Sequence, residues 1–325
     1  MRHHFGDFLD RGGDYWSVVP NRERYAYRIA DVESGSADVH VMTIGRNDED
    51  WQKVLTLPQL QELTLHEPNA EQLQSLTELP GLQRLRITHA RPRTLEFLCA
   101  CRQLRELVLE YVSGVADLGP LGALPHLRAL HLENLRKVSS FDGLSGASGL
   151  RYLAIHGTVD WQQPVADFQF LNGLSQLEVF RLWQVVCRAE YPATLPFRFL
   201  DRLQQLALHG SYLATAEYAM IEECLPGVAG AEWGAFRAVA HNWLDLPAED
   251  PRMQLSVADL QEQHPEVRVV YDGRRQIEDP ASRWFEFTGR GAGRVKCSSP
   301  QAAAKCGERE AAYLELRRQA AALLQ

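Results

Sequence analysis

One motif recurs down the middle of this chain and limits what the chain can fold into. The pattern L-x-x-L-x-L, with Ile or Phe admitted, occurs at Leu60-Leu63-Leu65, Leu82-Leu85-Ile87, Leu104-Leu107-Leu109, Leu127-Leu130-Leu132, Leu150-Leu153-Ile155, Leu177-Phe180-Leu182 and Leu203-Leu206-Leu208. Successive copies stand 22, 22, 23, 23, 27 and 26 residues apart. In-phase copies at such a period mark a repeat architecture, in which no unit buries its apolar face alone and each stacks on its neighbours.

Within a unit the L-x-L alternation has the two-residue period of a strand. Apolar residues also precede the first leucine at minus nine, minus six and minus three, as in Trp51, Val54, Leu57 and in Leu118, Leu121, Leu124. A three-residue period suits a 3₁₀ or short helical return, where i and i+3 share a side. Each unit therefore reads as one short strand plus a tight return. The pattern resembles the leucine-rich repeat family, in particular the bacterial internalin-like and phosphatase-regulator-like class with 22-residue units. The resemblance covers residues 51–212. It implies an α/β solenoid with parallel strands on its concave face. Family members carry Asn three residues after the last leucine, whereas Pro68, Ala90, Val112, Leu135, Thr158, Val185 and Ser211 stand there. Without that ladder, apolar packing must hold the turn after each strand.

Two degenerate units are expected to extend the array to residue 271. One is Leu225-Pro226-Gly227-Val228 with Ala231 and Trp233; the other is Leu260 with Val267 and Val269. Open ends of an array need caps. Residues 1–50 are expected to supply one as a β-hairpin, from the alternating runs 24–32 and 37–44 around Glu33-Ser34-Gly35-Ser36. Residues 272–325 are expected to supply the other. Its hairpin joins 284–287 to 294–297 across Gly289-Arg290-Gly291-Ala292-Gly293, and an Ala-, Leu- and Glu-rich helix spans 308–324.

Composition excludes several function classes. The net charge of −8 argues against a nucleic-acid binder working through bulk electrostatics. No stretch approaches 18 uninterrupted apolar residues, so no membrane partner is expected. Met1-Arg-His-His-Phe-Gly-Asp7 has no apolar core of a secretory signal. Six cysteines are too few for a disulfide scaffold of this length, which points to a reducing cytoplasm. Cys99-Ala100-Cys101 and the pair Cys297, Cys306 lack zinc-site spacing, and the glycine run lacks the Lys-Ser/Thr of a phosphate-binding loop. No nucleophile elbow or H-E-x-x-H helix occurs. No cofactor and no metal are expected. His66, His156 and His209 fall on rungs too far apart to meet on one ion.

The strands carry the remaining information. Residues alternating with the inward leucines face the other side of the sheet. Five of the eleven histidines fall there or one step beyond: His66, His89, His131, His156 and His209. Aromatic and basic residues on a rigid exposed sheet are the usual anchors of a protein interface. A partner-binding face is therefore expected at Arg84, Arg86, Glu110, Tyr111, His131, Glu133, Tyr152, His156, Arg181, Trp183 and His209. The expected function is non-catalytic recognition of a folded protein, in an adaptor or immunity-like role. The alternative is an enzyme with its site in residues 213–325.

Overall fold

The leucine repeat builds an eight-stranded parallel sheet. The computed structural model describes Leu9–Asp10, Ser17–Val18, residues 28–270 and residues 272–325. The strands of the sheet are β1 Val41–Gly45, β2 Glu62–His66, β3 Arg84–Thr88, β4 Glu106–Glu110, β5 Ala129–Glu133, β6 Tyr152–His156, β7 Val179–Trp183 and β8 Gln205–Leu208. They neighbour one another in chain order. The second leucine of each repeat stands opposite its counterpart, in the row Leu63, Leu85, Leu107, Leu130, Leu153, Phe180, Leu206. That row is at most 2% exposed.

The returns are 3₁₀ turns, such as Glu96–Ala100, Gln169–Gly173 and Leu195–Phe199, or one-turn helices at α1 Ala70–Gln74 and α2 Gly119–Gly122. Their three-residue apolar period closes the core from the far side: Leu76, Leu98, Leu121, Leu144, Leu171 and Phe197 are fully buried. After each of five strands comes a residue in the left-handed region. Glu67, His89, Tyr111, Asn134 and Gln184 have φ between 48° and 56°. The N–H groups of Glu67, His89, Tyr111 and Asn134 each donate to the last strand carbonyl of the next rung, at 2.9 Å. The following residues Ala90, Val112, Leu135 and Val185 are buried. Backbone bonds and apolar side chains thus do what an asparagine ladder would do.

The returns also pack backbone against backbone. A Cβ added at Gly173 would lie 2.0 Å from the Ser145 carbonyl oxygen, and one at Gly143 would lie 2.4 Å from the Gly119 nitrogen. Because both neighbours are main chain, Gly173→Ala can be accommodated only by parting two rungs. It should cost about 1–3 kcal/mol, measured as a urea midpoint below the parent's. An unchanged midpoint would mean that the returns are not in contact.

Two sequence expectations need correction. Residues 37–44 are not the second arm of an antiparallel hairpin. Val41–Gly45 is instead the first rung, parallel to β2, with Met42 opposite Leu63 and Ile44 opposite Leu65. Val39, Met42 and Ile44 are buried in the places of the three leucines. Alternation is the same for parallel and antiparallel strands, and Val39, Met42 and Ile44 include no leucine, so the L-x-x-L-x-L pattern does not mark this rung. Of the other arm, residues 24–27 lie outside the described residues. Ile29–Asp31 is a 3₁₀ turn, and Arg28 makes a parallel bridge to Thr43. The second correction concerns the ninth rung. Arg268–Val269 pairs antiparallel with Arg275–Glu278, and Leu260, Val267 and Leu246 form a small core of their own. The Leu225 unit does join the array, by one parallel bridge from Ala229 to Gln205.

The chain divides into two compact units, residues 1–213 with 220–232 and residues 214–219 with 233–325. The second unit contains two three-stranded antiparallel sheets. One holds the expected hairpin, with Phe285 opposite Val295, and adds Phe236–Ala240 alongside Arg283–Phe287. The turn residues Gly289, Gly291 and Gly293 all have positive φ, and the closing helix runs Ala302–Leu324. The six cysteines form no disulfide.

Candidate functional site

On the sheet face opposite the leucines, the charges expected to meet a partner meet one another. Arg84 of β3 bridges Glu62 of β2 and Glu106 of β4, the latter at 3.0 Å. Arg86 donates from Nη2 and Nε to Glu110 Oε2, at 2.5 and 3.1 Å. Both members of that pair are buried. Tyr152 packs with Ala129, Ala154 and Val179 in an apolar cluster, and His131 is only 4% exposed. Of the eleven expected binding residues, Arg86, Glu110, His131 and Tyr152 are therefore closed to solvent. Alternation assigns a side chain to one side of a sheet; it does not say how open that side is.

Access returns at the lip formed by the strands' C-terminal ends. Tyr111 is 38% exposed and Trp183 is 40% exposed, and His209 is exposed as well. Arg84, Glu133, His156 and Arg181 are half-buried. Trp183 stands opposite His156 in register, with ring centroids 6.1 Å apart. Tyr111 lies flat on His89 at 4.7 Å, and His89 meets His66 edge-on at 5.5 Å. His89, Arg91, Tyr111, Ser113, Asn134 and Arg136 line a groove of about 330 Å³ along this lip. Arg91 and Arg136 belong to no strand, so reading the alternating columns alone could not find them. At these three strand ends the left-handed residue turns the chain so that the residue two positions beyond it, Arg91, Ser113 or Arg136, borders the groove.

The two histidines at the centre of the face are held neutral. Burial pushes the His131 imidazole down to about 4, with Arg86 and Arg181 adding to the effect against Glu110. Burial likewise lowers His156 to about 3, helped by His131 and Arg181 and opposed by Glu133. Their rings make an edge-on contact at 4.7 Å, and His131 Nε2 lies 3.6 Å from Glu133 Oε2. His131, Glu133 and His156 can each point one ligand atom to a common volume, with these atoms within 4.8 Å of one another. The expected separation of His66, His156 and His209 stands, but a different trio converges. The register that opposes Glu133 to His156, two residues from His131, was available in the 23-residue spacing.

Seven leucine-motif copies in one register, each giving a strand to a parallel sheet and a tight return behind it, define a leucine-rich repeat solenoid. Among solved structures, an internalin of Listeria monocytogenes is 19% identical, with a TM-score of 0.43 over 52% of this chain and 47% of that one. Internalin C2 of the same organism is 19% identical, covering 53% of this chain and 68% of its own, with a TM-score of 0.35. A leucine-rich repeat protein of Leptospira interrogans is 15% identical, covering 58% and 47%, with a TM-score of 0.42. This chain thus spans about half the length of the first and third. No family model matches the chain, and no curated protein matches its sequence. Among the described residues, no helix is long and apolar enough to cross a membrane.

Proposed function

We propose that this protein recognises a folded protein partner through the C-terminal lip of its parallel sheet, without catalysis. The observation that carries the reading is the exposure of Trp183 and Tyr111 on a rigid edge. Exposed large aromatics are costly to leave in water and are enriched where interface energy concentrates. The backbone ladder fixes both residues, so little ordering entropy is lost when they are covered. Arg181, half-buried Glu133 and the groove arginines Arg91 and Arg136 supply a polar rim. The buried ion pairs behind them set the shape of the face and take no part in contact. An adaptor or immunity-like role fits such a surface.

The test starts from a partner captured by the immobilised chain in an extract of the native host, then titrated calorimetrically. Trp183→Ala should weaken binding by about 2 kcal/mol, roughly thirtyfold. Its melting curve should stay within about 1 kcal/mol of the parent's, because the indole adds little to the core. Unchanged affinity in both Trp183→Ala and Tyr111→Ala would remove the lip as the binding surface.

A further inference from the structure

We propose that His131, Glu133 and His156 form a binding site for one divalent transition metal of the zinc class. His131 and Glu133 are i and i+2 on β5, so their side chains leave the same face of the sheet. His156 lies directly opposite Glu133 on β6. A corner of this kind places three side chains around one point, on a frame held by the ladder bonds of both strands. Opposite His131 stands Ala154, whose methyl group leaves the volume beside the imidazole free of a competing long side chain.

The ligand atoms already lie close. All three are within 4.8 Å of one another, and His131 Nε2 is 3.6 Å from Glu133 Oε2. With metal–ligand bonds of roughly 2.0–2.2 Å, donor atoms of a tetrahedral site stand about 3.3–3.5 Å apart. One pair is almost there, and side-chain rotation by about 1.5 Å closes the rest.

A second observation is independent of the spacing. The buried Nδ1 of His131 has no hydrogen-bond partner among the described residues. An imidazole without such a bond is not fixed in one tautomer, so either nitrogen can carry the lone pair that a metal needs.

The donor set selects the ion. Two imidazole nitrogens and one carboxylate oxygen suit zinc, cobalt and their neighbours, while one oxygen is too few for calcium or magnesium. Three protein ligands leave a fourth position for water or another small donor. Arg86 is neutralised by Glu110, so a dication would not face its full charge; half-buried Arg181, which acts on both imidazoles, is the cation it would face.

The experiment is cobalt(II) titration of the full chain, read by visible absorption, with zinc competition. The parent should bind one cobalt per chain with the intense bands of a four-coordinate ion, and zinc should abolish them. Glu133→Gln and His156→Ala, both at half-buried positions, should each lose about tenfold or more in affinity. Their melting temperatures in chelator should match the parent's; if His156→Ala melts early, Glu133→Gln decides. Because His3 and His4 are rival ligands in the sequence, the His3→Ala/His4→Ala double variant should bind as the parent does. Absence of one-per-chain binding, variants equal to the parent, or binding lost with His3 and His4 would each overturn the site.

Discussion

Between pH 7 and pH 5, in chelator, the folded protein should lose stability at up to about 1.4 kcal/mol per pH unit for each of His131 and His156. Both imidazoles titrate far below the ordinary histidine range in the folded state, about 4 and about 3. Well above pH 6.5 each is neutral whether the chain is folded or not, and protons do not bias the equilibrium. As the pH falls below that value, the unfolded chain takes up protons that the folded one refuses, and stability declines until the folded values are reached. By pH 4.5 His131 alone should account for about 2–3 kcal/mol. The groups that face it do not reverse this: Glu110 favours the charged ring, but burial outweighs it, and Arg86 and Arg181 oppose the charge. Carboxylates contribute little above pH 5, so the slope in that window belongs to histidine. Urea melts at half-unit pH intervals measure it, and His156→Gln should reduce it. A flat profile from pH 7 to 5 would mean that both rings reach solvent.

The solenoid was legible because its information is local and repeated. A 22-residue spacing fixes which leucines stack, and the observed register places Leu107, Leu130 and Leu153 in one row as that spacing requires. What the spacing lacks is strand direction. Residues 37–44 alternate equally well as a hairpin arm or as a parallel rung, and only pairing to Glu62–His66 distinguishes them. The hairpin at 283–296 was readable because its Gly-rich turn states the direction outright.

The candidate site divides along a similar line. Alternation correctly put Arg86, His131, Tyr152 and Trp183 on the side away from the leucines. Their accessibility was a separate matter, set by pairing across rungs only about 4.8 Å apart. Arg84 and Arg86 look like partner-seeking charges when each strand is read alone. Their carboxylates, Glu62, Glu106 and Glu110, lie one rung away and 22 to 24 residues distant in sequence. Trp183 escapes this closure because β8 ends at Leu208, opposite Leu182, so the ladder flanks Trp183 only with His156 of β6.

The largest single loss of stability should come from Leu130→Ala, at about 2–5 kcal/mol. Leu130 is completely buried and lies between Leu107 and Leu153, so its truncation opens a cavity against both neighbours. In a repeat array stability is close to a sum of unit terms and nearest-neighbour interfaces. A central rung takes part in two such interfaces, a terminal one in fewer. Leu208 provides the comparison, since it belongs to the edge strand of the sheet and retains 8% exposure. In the sheet register it stands opposite Leu182. Leu208→Ala should therefore cost about half as much as Leu130→Ala or less, since a site at an edge can relax into the space it loses. Equilibrium urea unfolding of the two variants beside the parent measures the difference. The central variant should also broaden the transition, because a weakened middle rung uncouples the halves it joins. Equal losses from the two truncations would contradict nearest-neighbour coupling, and a Leu130→Ala protein as stable as the parent would contradict the solenoid itself.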